Sequence, residues 1–239
     1  METKRTHRPT ANKPVPDGFL SQRKQIINEN SSFAMQEAYR TLRTNVRFSL
    51  RGDGCKSFCI TSSSQGEGKS ITMLNLAITF AETGQKVLLI DADLRRPAVA
   101  RLLTEKATPG LSNVLAGLVD ENESIRKEVF PNLDVLLSGD IPPNPSELLG
   151  SERMIELLKN LRKQYDYILV DTPPVNIVSD VCVVANQLDG VLLLARQGRT
   201  RKESLKRAVN HLNLTGAKLL GTVFNGVPED VRTTYSYYE

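Results

Sequence analysis

The sequence is poor in cysteine and has no long apolar run. Its three cysteines, Cys55, Cys59 and Cys182, lack the spacing of a zinc site and the even number of a disulfide framework. Cys59 and Cys182 lie in apolar runs, which indicates small core residues in a reducing compartment. No apolar run approaches the roughly 20 residues of a membrane span, and the N-terminus lacks a signal-peptide core. We therefore expect a soluble, cytoplasmic chain.

An excess of charge of one sign is also missing over most of the chain. The formal net charge is +4 for 239 residues, and residues 1–30 contribute +3 of it. The nearly neutral remainder argues against an extended nucleic-acid footprint, so no nucleic-acid partner is expected. Residues 1–30 contain Pro9, Pro14 and Pro16 but few large apolar side chains, which predicts a flexible basic leader. That leader is either a solvated tail or a segment near an acidic membrane surface or partner.

What the sequence does contain is an alternation of short apolar runs and helical patterns. It predicts strands at 57–61, 86–91, 133–137, 166–171, 190–195 and 218–224, and helices at 33–50, 69–83, 111–117, 151–164, 178–186 and 201–213. Most strand runs are apolar throughout, as in parallel strands buried on both faces. We therefore predict one α/β domain over residues 31–228, a phosphate-loop NTPase-like parallel sheet with helices on both faces. The proline-rich stretch 140–145 is expected to be a stiff loop.

Residues 63–70, Ser-Ser-Gln-Gly-Glu-Gly-Lys-Ser, lie between a predicted strand and a predicted helix. This is the pattern of a phosphate-binding loop, in which backbone N–H groups and a helix N-terminus face the phosphates. Lys69 would reach the outer phosphates, and the Ser70 hydroxyl would ligate Mg²⁺. One position departs from the pattern, since Ser63 stands where Gly is usual. The residues expected to bind nucleotide here are Ser64, Gln65, Gly66, Glu67, Gly68, Lys69 and Ser70.

Acidic residues follow two of the predicted strands. Asp91 and Asp93 come at the end of one apolar run, and Asp171 ends another. Carboxylates at the carboxyl ends of parallel strands face the ligand crevice, and they are costly to bury unpaired. Asp171 would hold Mg²⁺, directly or through water, although an Asp that only caps the next helix is the alternative. Asn225, after the last strand, is either a contact to the adenine edge or a turn residue.

These motifs together resemble the bacterial tyrosine kinase family. The resemblance covers residues 33–239, and its matching segments are 65–70, 89–97, 142–149 and 168–174. It implies a phosphate-loop ATPase fold, unrelated to eukaryotic protein kinases, that uses ATP and Mg²⁺ to phosphorylate tyrosine. Lys69, Asp91 and Asp93 would then be the catalytic residues, with Asp91 accepting the phenol proton. Ser70, Asp93 and Asp171 would position the metal ion.

The resemblance also assigns roles to both ends of the chain. Glu37, Arg40 and Arg43 match the family's N-terminal helix motif, which implies a ring-shaped homo-oligomer with an octamer as one candidate size. Taken alone, the same residues are a solvated helix face with a weak i,i+3 ion pair. The tyrosines of the tail at 229–239 would be the phosphoacceptors, delivered to a neighbouring subunit; they are Tyr235, Tyr237 and Tyr238.

Further partners follow from the resemblance alone. Relatives without a fused membrane segment work with a separate transmembrane regulator of polysaccharide chain length, whose cytoplasmic tail stimulates the kinase. A chain of this kind would be recruited to the inner face of the membrane, act on protein tyrosines and regulate capsule or exopolysaccharide synthesis.

Two alternatives share this fold class. A partition or positioning ATPase carries an additional Lys one residue after the first loop position, where this chain has Ser64. A scaffold that binds nucleotide without transferring phosphate is the second alternative. The presence of Lys69, Asp91 and Asp171 makes it less attractive.

Overall fold

The computed structural model describes residues 24–50 and 52–228. Most of the expected leader and the whole tail, with Tyr235, Tyr237 and Tyr238, lie outside the described residues. The helices are α1 Phe33–Ser49, α2 Lys69–Ala81, α3 Val99–Leu103, α4 Leu111–Leu115, α5 Glu121–Ser124, α6 Pro145–Leu149, α7 Glu152–Leu161, α8 Asp180–Ala185 and α9 Lys202–Leu214. The strands are β1 Lys56–Ser62, β2 Val87–Asp91, β3 Ile125–Phe130, β4 Leu133–Leu136, β5 Tyr167–Asp171, β6 Val191–Arg196 and β7 Leu219–Asn225.

The strands of the described residues form one sheet in the order β3-β4-β2-β5-β1-β6-β7. Every neighbouring pair is parallel except β3 and β4, which are antiparallel. The predicted α/β class with a parallel sheet is confirmed, and the antiparallel strand β3 is the one departure from it among the described strands. All six predicted strands are present, and β3 is a seventh that the sequence analysis missed.

The sheet separates two apolar cores. Successive residues of β1 alternate between them, with Phe58 and Ile60 in one core and Cys59 in the other. All three of these side chains are fully buried, because β1 lies at the centre of the sheet and helices cover both faces. The expectation that Cys59 is a small core residue is therefore met.

Helix α1 docks on α2 beside the sheet. Ser32 accepts a hydrogen bond from the Met35 backbone N–H and caps its first turn. The preceding segment is also fixed, because Asn75 on α2 accepts from the Ile27 N–H at 2.9 Å and its Nδ2 donates to the Gln25 carbonyl at 2.8 Å. The packed part of the chain thus begins no later than Gln25, before the expected boundary at residue 30.

Several short elements were not predicted. Helices α3, α5 and α6 have five residues or fewer, which is too short for a periodic pattern to be visible. The stretch 140–145 is irregular as expected, except that Pro145 starts α6, a position where its missing N–H leaves no bond unmade. Among the described residues, no helix combines the length and the apolar character needed to cross a bilayer.

Candidate functional site

The phosphate-binding loop connects β1 to α2, and α2 begins at Lys69 as the spacing predicted. Gly66 and Gly68 have φ angles of 74° and 102°, in the left-handed region that favours glycine. A Cβ atom on Gly68 would lie 2.3 Å from Nδ2 of Asn225, so the backbone passes this side chain too closely for any other residue. The two glycines therefore hold open a backbone cradle at the N-terminus of α2, where N–H groups collect an anion.

The side chain of Glu67 lies under the loop, only 1% exposed. Its carboxylate accepts from the Ser63 N–H at 3.1 Å, the Ser63 hydroxyl at 3.1 Å and the Ser64 N–H at 3.2 Å. The Thr200 hydroxyl donates to it as well, at 2.5 Å. Ser63 in place of Gly is thus accommodated, because its hydroxyl supplies one of these bonds. The carboxylate of Glu67 therefore fixes the conformation of the loop, and this side chain points away from the space where the phosphates would bind.

Asn225 braces the same loop from β7. Its Nδ2 donates to the Glu67 carbonyl at 3.0 Å, and its Oδ1 accepts from the Gly226 N–H at 2.8 Å. Sequence analysis left it as an adenine contact or a turn residue, and neither interpretation included this contact with the loop. Thr200 was not singled out at all, because nothing local in the sequence connects it to Glu67.

Asp91 and Asp93 follow β2 but differ in what their carboxylates contact. Asp91 is fully buried, and its two oxygens accept from the Asp93 N–H at 3.2 Å and the Val99 N–H at 3.1 Å. Burial, followed by repulsion from Asp171 and Asp93, raises the pKa of Asp91 well above its usual range. Asp93 is 6% exposed and lines the site cavity, and it accepts from the Arg96 N–H at 3.0 Å. Asp93 is therefore the carboxylate that a ligand in the cavity meets.

Asp171 ends β5 directly beside Asp91, in the paired register of the two strands. Both of its oxygens are buried, and no described residue gives them a hydrogen bond of full geometry, although the Ser70 hydroxyl and Lys69 lie near enough to stabilise the charge. Burial raises the pKa of Asp171 to about 6, although Lys69 and Ser70 favour the charged form. A carboxylate in the interior without such a bond is costly, so a cation from outside the chain fits this position.

The chemistry of the donor set suits Mg²⁺. The described residues contain no group of three or more His, Cys, Asp or Glu side chains arranged to hold a metal by themselves. Mg²⁺ typically takes one or two protein carboxylates and completes its shell with water and substrate phosphates. Asp171 with the Ser70 hydroxyl and Asp93 nearby provides a set of that kind.

A cavity of about 420 Å³ opens in front of these groups. Lys69, 8% exposed, lies in its wall with Ser70 and Asp93. The remaining lining includes three arginines, Arg95, Arg96 and Arg101, and four apolar residues after β5, Pro173, Pro174, Ile177 and Val178. A second cavity, of about 600 Å³, lies between α1, α2 and the end of β7, and Gly68 lines both cavities.

Arg95 is fixed by a buried acid. Its Nε lies 2.8 Å from Oδ2 of Asp180, which is fully buried, and its Nη2 lies 3.1 Å from Oδ1. The Ser146 hydroxyl also donates to Asp180. This contact ties the loop after β2 to α6 and α8, and it raises the pKa of Arg95.

The three residues of the N-terminal helix motif do not share one environment. Glu37 and Arg40 form an ion pair of 3.7 Å with side chains 52% and 44% exposed. Arg43 turns toward α2 instead, where its Nη1 donates to the Thr79 carbonyl at 2.7 Å. Arg43 thus contributes to the docking of α1, a contact that the sequence analysis did not predict.

Comparison with known proteins agrees with this site. A family model described as an AAA domain matches residues 55–197. The tyrosine-protein kinase YwqD of Bacillus subtilis is 41% identical over 221 residues, which cover 92% of this chain and 93% of that protein. This chain belongs to the bacterial tyrosine kinase family. CpsD of Streptococcus agalactiae serotype Ia, another tyrosine-protein kinase, is 39% identical over 83% of this kinase and 85% of its own length.

Solved structures give the same result for the fold. The kinase domain of the Escherichia coli tyrosine kinase ETK superposes on this kinase with a TM-score of 0.81 at 35% identity, covering 99% of this chain and 89% of that one. The chimerical protein CapA2B2 also gives 0.81, at 34% identity, covering 86% and 91%. The cell division protein complex MinC:MinD of Aquifex aeolicus, at 22% identity and a TM-score of 0.61, shares the fold alone.

Proposed function

We propose that this kinase transfers the γ-phosphate of ATP to protein tyrosines, including Tyr235, Tyr237 and Tyr238 of another copy of the chain. The observation that carries the proposal is the buried carboxylate of Asp171 beside Lys69 and Ser70, whose oxygens lack a hydrogen bond of full geometry. A phosphate loop alone binds nucleotide, whereas this carboxylate next to Asp93 adds a metal-binding group and a proton acceptor. Membership of the tyrosine kinase family supports tyrosine as the acceptor.

In this proposal the loop backbone holds the phosphates and the second cavity takes the ribose and base. Lys69 stands at the cavity wall, where its charge stabilises the γ-phosphate as the β–γ bond breaks. Ser70, Asp171 and Asp93 hold Mg²⁺, which when bound neutralises charge on the phosphate oxygens. Glu67 and Asn225 keep the loop in the shape that this binding requires.

The transfer itself needs little covalent work from the protein. The tyrosine oxygen forms a bond to the γ-phosphorus, the bond from that phosphorus to the bridging oxygen breaks, and ADP leaves. The phenol, with a pKa of about 10 in free solution, loses its proton to a carboxylate. Sequence analysis gave that role to Asp91, but both oxygens of Asp91 already accept backbone hydrogen bonds. Asp93 is the more accessible carboxylate, and it would take the proton where Ser70 and Asp171 alone hold the ion.

The test is to incubate the purified chain with ATP and Mg²⁺ and to measure phosphotyrosine by blot, then to locate the phosphate by mass spectrometry. We expect labelling of the tail tyrosines in the wild type and none in a Lys69→Met variant. If the two proteins give the same blot under every condition, including added activator, the kinase proposal is wrong.

A membrane partner for this kinase is a further part of the proposal. EpsB of Ralstonia solanacearum and Etk of Escherichia coli are 38% and 37% identical to this chain, which spans only 26% and 29% of their lengths. We infer that a separate transmembrane regulator of polysaccharide synthesis activates this kinase and recruits it to the membrane. A cytoplasmic-tail peptide of such a regulator should raise tyrosine labelling, and no change would count against this partner.

A further inference from the structure

Part of the site cavity is lined by residues that lie outside the phosphate loop. The phosphate loop and Lys69 form one wall, and the second cavity on the far side of Gly68 has room for ribose and base. Another part of the cavity wall, outside the phosphate loop, is formed by Arg101 on α3 and by four residues after β5: Pro173, Pro174, Ile177 and Val178. Asp93 lines the same cavity, so an acceptor group has to enter this space to meet its carboxylate.

The composition of this wall suits a particular acceptor. Pro173, Pro174 and Ile177 give it an apolar face, and Ile177 is 53% exposed although it is a large aliphatic residue. An apolar face at the mouth of a charged site matches the ring of a tyrosine, which carries an apolar body and a polar tip.

The rim beside the apolar face is cationic. Arg96 and Arg101 are both exposed and both line the cavity. Arg96 is drawn to the phosphate loop, since its Nη1 donates to the Gln65 side-chain oxygen at 2.9 Å. Arg101 lies on α3, and its Nη2 donates to the Pro97 carbonyl at 2.8 Å, which holds the guanidinium group near the start of that helix. Arg95 also lines the cavity, and the buried Asp180 holds its guanidinium group.

We propose that this wall is an acceptor subsite for a tyrosine flanked by a negatively charged residue, with Arg101 binding the flanking charge and Ile177 packing on the ring. The proposal rests on the kinase function proposed above and names the substrate that the same site prefers. The chain's own sequence offers such a substrate, because Tyr237 and Tyr238 precede Glu239. Phosphate on one tail tyrosine would give its neighbours a stronger negative flank, so that labelling of the cluster would accelerate after the first transfer.

The test uses the full-length chain and four synthetic peptides that are identical except for the residue next to their single acceptor tyrosine. That residue is Glu, phosphotyrosine, Gln or Lys, so that a carboxylate flank and a phosphate flank are measured separately. We expect the KM for the Glu and phosphotyrosine peptides to be about tenfold below that for the Lys peptide, as one charge pair at a partly exposed site allows.

Two variants separate charge recognition from a general structural role. Arg101→Lys keeps the charge and should keep the order of the four peptides. Arg101→Glu should invert it, with the Lys peptide now preferred. Ile177→Ser should raise the KM for all four peptides alike, because it removes only the apolar contact with the ring.

Labelling that does not depend on the flanking residue would overturn the acceptor subsite and leave the kinase function intact. An Arg101→Glu variant that keeps the wild-type order of the peptides would also overturn the subsite. Failure to label any peptide or the tail would overturn both proposals, so the two failures are distinguishable.

Discussion

At the scale of single residues, the site is defined by buried charges that the fold does not satisfy. Asp171 has two carboxylate oxygens in the interior without a hydrogen bond of full geometry from any described residue, and Asp91 lies beside it in the next strand. Groups of this kind destabilise the protein in the absence of a ligand. They persist at functional sites because the ligand, here a metal ion and a nucleotide, supplies the missing partners.

Asp171→Asn should therefore stabilise the ligand-free protein while abolishing transfer. The pKa of Asp171 is raised to about 6, so the buried carboxylate is charged at neutral pH and the folded state is penalised there. A shift of roughly two units corresponds to an increase of about 2–3 kcal/mol in the free energy of unfolding at pH 8. Denaturant unfolding at that pH measures it, and phosphotyrosine blotting measures the loss of activity.

The pH dependence gives this prediction its sign. A carboxylate with a raised folded-state pKa contributes stability at low pH, and the wild type loses that contribution as pH rises from about 4 through about 6. The advantage of Asp171→Asn should therefore shrink as pH falls below 6. Asp53→Asn, the same change at an exposed residue, is the control and should give no such trend. A variant at Asp171 that is less stable than wild type at pH 8 would contradict the account.

A second prediction at this scale is that the hydroxyl of Thr200 strengthens the binding of ATP. It donates at 2.5 Å to the buried carboxylate of Glu67, which also holds the Ser63 and Ser64 N–H groups. Thr200→Val removes this bond to a charged group, so we expect ATP to bind about tenfold more weakly. Thr200→Ser keeps a hydroxyl and should bind nearly as well as wild type. Calorimetric titration with a non-hydrolysable ATP analogue measures both, and equal affinity in all three proteins would rule out the role.

At the scale of elements, the glycines that begin and follow α2 have different reasons to be glycine. Gly68 and Gly84 have φ angles of 102° and 79°. A Cβ on Gly84 would meet no atom within 4 Å, whereas one on Gly68 would collide with the Asn225 amide that bonds to Glu67. Gly84 is therefore required only for its positive φ angle. Gly68 is required for its φ angle and also because it leaves room for the Asn225 side chain that links the phosphate loop to β7.

Alanine at these two positions should therefore have separable effects. Gly84→Ala should lower the free energy of unfolding by about 1 kcal/mol through backbone strain, with unchanged affinity for ATP. Gly68→Ala carries the same strain and must also displace Asn225, so its affinity for ATP should fall about tenfold or more. Thermal unfolding and nucleotide titration on the same samples separate the two. An equal loss of affinity in both variants would show that the contact with Asn225 is unimportant.

The elements also show which parts of the fold are legible in the sequence. Buried parallel strands are apolar on both faces, so six strands and the carboxylates that end two of them could be predicted. Strand β3 could not, because it pairs only with β4 at the edge and carries the charged Arg126, Lys127 and Glu128. The contact of Thr200 with Glu67 was also missed, because it joins residues 133 positions apart and leaves no local pattern.

At the scale of the whole molecule, the proposed phosphorylation of the tail requires a second copy of the chain. The motif on α1 is the candidate for bringing copies together, and its two arginines differ in a way that makes the idea testable. Arg43 bonds to the Thr79 carbonyl on α2, while the Arg40 side chain contacts Glu37 and Gln36 on its own helix. Of the two arginines, Arg40 is therefore the one that a neighbouring copy could contact without breaking a bond between α1 and α2.

If the proposed homo-oligomer forms through this motif, Arg40→Ala should dissociate it without destabilising the subunit. An exposed ion pair contributes less than about 1 kcal/mol, so the unfolding midpoint of the monomer should stay within about 2 °C of wild type. Light scattering should then report monomers for Arg40→Ala at concentrations where the wild type assembles, together with slower labelling of the tail.

Arg43→Ala should lower the unfolding midpoint itself, because it removes a contact between α1 and α2. Arg47→Ala, an exposed change on the same helix outside the motif, is the control. An assembly that survives Arg40→Ala with full tail labelling would show that the motif does not hold the copies together.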